Sequence, residues 1–71
     1  MVTLEAARTA QPRAIQILLR KYPEVSGVGL TRRGRDWALK VNLTREPRRP
    51  LPTQVDGVPL VQEVVGEAVA Q

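Results

Sequence analysis

Between Val25 and Thr44 two apolar stretches flank a short arginine-rich turn, reading VSGVGL, then TRRGR, then DWALKVNLT, and this stretch limits the chain more than any other. Trp37, Leu39, Val41 and Leu43 alternate with Ala38, Lys40, Asn42 and Thr44, the period of two that gives a strand one apolar face. Val28 and Leu30 continue that face on the preceding strand, while Gly27 and Gly29 fall together on the opposite one. Gly34 supplies the backbone freedom a tight turn needs. A hairpin with one apolar face must be covered, so the rest of the chain has to provide a second layer.

The N-terminal residues fit that role. Leu4, Ala7, Gln11, Ala14, Ile15, Leu18, Leu19 and Tyr22 recur at steps of three and four between Thr3 and Tyr22. Pro12 interrupts them, because proline inside a helix removes a hydrogen bond and clashes with the preceding turn at a cost of about 3 kcal/mol. Thr9 is placed to cap a fresh start with Pro12 in the first turn. The expectation is a helix from Ala10 to Tyr22, ended by Pro23, with residues 2–9 a kinked extension or a separate turn.

Strands are expected at Glu24 to Thr31 and Asp36 to Thr44. Residues 45–57, REPRRPLPTQVDG, hold Pro47, Pro50 and Pro52, which exclude a helix interior or a central strand and make a semi-rigid crossover. Asp56-Gly57 marks a turn, and Val58 to Val65 reads as a third strand whose start Pro59 places at an edge or outside the ladder. Leu60, Val64 and Val65 are core or interface positions, with the register open; residues 66–71 extend the strand or fray. The expected fold class is α+β: one domain over residues 1–71, with one helix on a three-stranded, mostly antiparallel sheet in the order α-β-β-β.

Seventy-one residues bury only about 60% of the extended surface on folding, so a core this small needs support. The chain has neither cysteine nor histidine, which leaves self-association as the available support. One helix cannot cover both sheet faces, and the second face carries Gly27, Gly29, Ala38, Val61 and Val65. A homo-oligomer through that face or through a strand edge is the expectation; solvation by Lys40, Asn42 and Glu63 is the plainer reading. With 42% apolar and 25% charged residues the chain lies away from the disordered class. Absence of cysteine suits a reducing compartment, Glu5 and Arg8 interrupt any signal-peptide core, and no apolar run spans a bilayer, so the expected location is cytoplasmic, without a membrane partner. Nine of the eleven basic residues are arginine, which fits a GC-rich genome or a thermostable protein.

The net charge of +4 is uneven, with seven basic residues between Arg32 and Arg49 against Asp36 and Glu46. A small basic nucleic-acid-binding protein, with Arg32, Arg33, Arg35, Arg45, Arg48 and Arg49 on phosphates, is therefore the alternative function. The two triplets, however, bracket the second strand and stand roughly 30 Å apart at about 3.3 Å per residue. Trp37 and Tyr22, the only aromatics, fit the core pattern rather than a base-stacking platform. The Gly27 to Gly29 segment leads into a strand, not a helix, so it is not a phosphate loop; the expectation is that another element packs against the bare glycines. Ser26 has no histidine to activate it, the carboxylates are scattered, and there is no Asp-rich loop. No enzyme activity, cofactor or metal is expected.

At YPEVSGVGL and again at LPTQVDGVPL the chain resembles the small region preceding the protease domain in a family of trypsin-like serine proteases. The likeness runs from Leu18 to about Gly66. It implies a helix ending at a proline junction, a V-x-G-V-G strand, an alternating strand, and a closing strand after L-P. No protease domain follows within the chain and no Ser/His/Asp set is present, so the resemblance carries over no catalytic residue. It implies a freestanding accessory module whose partner is a protease-related protein or another copy of itself.

Overall fold

The computed structural model describes residues 1–66. Helix α1 runs unbroken over Leu4–Lys21. Thr3 caps it, its hydroxyl accepting the Ala6 N–H at 3.1 Å, and Glu5 and Arg20/Lys21 complement the dipole at the two ends. The helix therefore starts six residues earlier than the proline suggests, and Thr9 is no cap: its hydroxyl bonds back to the Glu5 carbonyl at 2.9 Å. Pro12 is tolerated because it sits on the exposed side, where its ring meets solvent. The first turns are also anchored from outside. Val2 donates to Asp36 Oδ1 at 2.8 Å and accepts the Trp37 N–H at 3.0 Å, and Ala7 and Ala10 are buried on the core side.

Strand β1 spans Val25–Arg33, β2 Asp36–Leu43, β3 Gln54–Val55 and β4 Val58–Val64. They form one sheet in the order β1-β2-β4-β3. This corrects the expected three-stranded, mostly antiparallel sheet: there are four strands, and β4 lies parallel to β2, with Leu39 level with Leu60 and Leu43 level with Val64. The proline-rich segment carries the chain back along the full length of β2 before β4 begins, which a parallel neighbour demands. The fourth strand comes from the end of that segment. Gln54 and Val55 pair with Pro59 and Val58 across Asp56-Gly57, whose φ angles of +51° and +80° make a two-residue hairpin turn. Pro59 lies in an interior strand, but just before the β2–β4 register opens at Leu39 and Leu60, so its missing N–H interrupts no pair within it. Gly66, at φ +76°, stands outside β4; the expectation for the residues after it lies outside the described ones.

The core lies between α1, the crossover and one face of the sheet. Ala7, Ala10, Ala14 and Leu18 meet Val25, Val28, Leu39, Val41 and Leu43, and Leu51, Val55 and Val58 close the side next to the helix. The alanines let α1 sit close to the strands, chiefly over β1. Leu30, Trp37 and Leu60 pack at the margin. Leu19, which the helical spacing places on the apolar face, is 45% exposed, and Val64 and Val65 are about half exposed as well. Tyr22 ties the crossover down, its hydroxyl donating to the Pro50 carbonyl at 3.0 Å.

Candidate functional site

Alternation along each strand sends Gly27, Gly29 and Thr31 of β1, Ala38, Lys40 and Asn42 of β2, and Pro59, Val61 and Glu63 of β4 to the face away from α1. Val65 continues it, held to Leu43 O by its N–H at 2.8 Å. The five positions read from the sequence as an interface, Gly27, Gly29, Ala38, Val61 and Val65, thus share one face. They fall in level rows: Gly29 beside Lys40 beside Val61, and Gly27 beside Asn42 beside Glu63. Lys40 Nζ and Glu63 Oε2 form an ion pair at 3.2 Å across the two rows.

The expectation that another element of the chain packs on the glycines is overturned. Among the described residues, a Cβ placed on Gly27 or Gly29 would meet no atom within 4 Å beyond its chain neighbours. The two glycines make a trough along β1, while Val61 and Val65 make a ridge along β4. Lys40 and Asn42 stand between them, and Ala38, fully buried but outside the core cluster, lies in the next row, level with Thr31. Asn42 Oδ1, in the same rows, is a buried acceptor with no partner among the described residues.

The β1 edge is guarded. Because Trp37 turns its N–H towards Val2 and away from β1, the level pairs Arg32–Trp37, Leu30–Leu39 and Val28–Val41 are the non-hydrogen-bonded kind, and the backbone groups of Val28, Leu30 and Arg32 point out along the free edge. Gln11 Nε2 caps one of them, donating to the Val28 carbonyl at 2.8 Å. A bulge between Val25 and Gly27 bends the start of this edge, and Arg32 and Arg33 charge its end. On the other side the two-residue β3 pairs only with Val58 and Pro59, so β4 itself forms the edge from Val61 to Val64. Short strands, bulges and basic residues are the usual devices against edge pairing.

The six arginines do not form one surface. Arg32, Arg33 and Arg35 cluster at the β1–β2 turn, and Arg45, Arg48 and Arg49 at the far end of β2. Arg32 lies over the Trp37 ring at 5.6 Å and Arg49 over Tyr22 at 5.2 Å, with Arg49 also donating to the Lys21 carbonyl. A hollow of about 560 Å³ separates α1 from the crossover, lined by Ile17, Lys21, Tyr22, Leu51 and Val55. Its apolar floor, Leu51 and Val55, is already buried, so an occupant would gain little from it. Among the described residues no three carboxylates gather as metal ligands, and no helix is long and apolar enough to cross a membrane. No family model, curated protein or solved structure matches this chain.

Proposed function

We propose that this chain is a non-enzymatic assembly module and that the face of the sheet away from α1 binds a second copy. The observation that carries the reading is the trough at Gly27 and Gly29, which no described residue fills, beside partly buried Val61 and half-exposed Val65 on β4 and its extension. Two facts favour the face over the β1 edge: the Gln11 cap and the bulge in β1. A face about three strands wide and seven residues long measures roughly 14 by 20 Å, so the two copies bury less than the about 1,200 Å² of a tight complex. Association is accordingly concentration-dependent. Light scattering or sedimentation up to about 1 mM protein should show mass rising from monomer to dimer; a monomer throughout would remove the reading.

Phosphate binding by the exposed arginines is the second reading, favoured by the three at the β1–β2 turn. It requires oligonucleotide affinity that falls steeply with the logarithm of salt concentration. Absence of any shift of labelled single- or double-stranded oligonucleotides at low salt would dismiss it.

A further inference from the structure

We infer that the second copy docks face to face about a twofold axis running along β2, so that Val61 of each copy sits in the trough at Gly29 of the other. The inference rests on the open face being the assembly surface and adds the mode of pairing. A twofold along the strands keeps every residue at its own level and exchanges the two sides of β2. Gly29, Lys40 and Val61 stand in one row, so the rotation brings Val61 over Gly29 and, in the next row, Glu63 over Gly27. Ridge meets trough twice, as an isologous contact requires.

The alternative twofold, across the strands, places β4 over β4 and β1 over β1. Valine would then oppose valine while the glycine troughs faced each other and left a void, and voids forfeit packing energy on both sides. At the centre of the face the charges also fit this axis. Lys40 lies at the centre, next to its own Glu63 at 3.2 Å. The rotation brings Glu63 of the second copy to its other flank. Two lysines and two glutamates then alternate around the axis with no net charge.

The test fills the trough. Gly29 has no positive φ and open space where a Cβ would stand, so Gly29→Val suits the monomer and, in a strand, raises local propensity. Its circular dichroism and melting temperature should match or exceed those of the parent. Dimer affinity should fall about tenfold or more, because each copy then overpacks against Val61 of the other. The double variant Gly29→Val/Val61→Ala removes the opposing bulk and should regain most of the lost affinity. Loss without regain would overturn this axis while leaving the face as the assembly surface. An unchanged dimer in Gly29→Val would overturn both, placing association elsewhere, and a monomeric parent would overturn the reading beneath them.

Discussion

At Gly57 the backbone stands at φ +80°, and Asp56 before it at +51°, dihedrals that side chains other than glycine, asparagine or aspartate adopt only under strain. Gly57→Ala should therefore destabilise the protein by about 1 kcal/mol, read as a lower urea midpoint. An unchanged midpoint would show that the turn relaxes to another type. Gly29 answers the same question oppositely, being needed for the space it leaves and not for its dihedrals. The sequence distinguishes the two only in part. Asp-Gly is a legible hairpin signal, but the strand before it is two residues long and follows three prolines, so the turn is visible while the hairpin is not. The trough at Gly27 and Gly29 is legible as a shared face from alternation alone; whether another element fills it depends on where the crossover runs, which no local pattern records.

Within α1 the exposed Pro12 leaves its intrinsic cost in place, because nothing packs on its ring to offset it. Pro12→Ala should raise stability by up to about 3 kcal/mol in chemical denaturation. No gain would mean the helix is already distorted enough at that turn to have shed the cost. The apolar periodicity of α1 can be read from the sequence, but its true start cannot. The anchors at Val2, bonded to Asp36 and Trp37, are 34 and 35 residues away in the chain. At the edge of β1, Gln11 links the helix to the Val28 carbonyl, so Gln11→Ala should cost about 1 kcal/mol and expose that edge. Aggregation on concentrating the variant, absent from the parent, is the expected sign; a variant that stays dispersed would show that the bulge and arginines suffice. Strand β4 escaped a register assignment for a physical reason. Val58 and Leu60 serve the core face, Val61 and Val65 the open one, and a strand apolar on both faces has no period to read.

For the molecule as a whole, the twofold along β2 has an electrostatic consequence. It preserves strand direction, so the β1–β2 turns of both copies point the same way and Arg32, Arg33 and Arg35 appear twice at one end of the dimer. Six like charges gathered there oppose association, and only the neutral Lys40 and Glu63 cluster at the axis is free of that repulsion. Screening falls to about 10 Å at 0.1 M salt and about 3 Å at 1 M, so added salt relieves the repulsion while apolar contact survives or strengthens. Dimer affinity should thus rise between low and high salt. A twofold across the strands sets each arginine turn beside Arg45, Arg48 and Arg49 of the other copy and so also gains from added salt, while association driven by opposite charges predicts weakening. Sedimentation of the parent and of Arg33→Gln/Arg35→Gln at two salt concentrations reads this response. The charge-reduced variant should dimerise more tightly at low salt and lose most of the salt response; a parent dimer that weakens as salt is added would rule out the parallel arrangement.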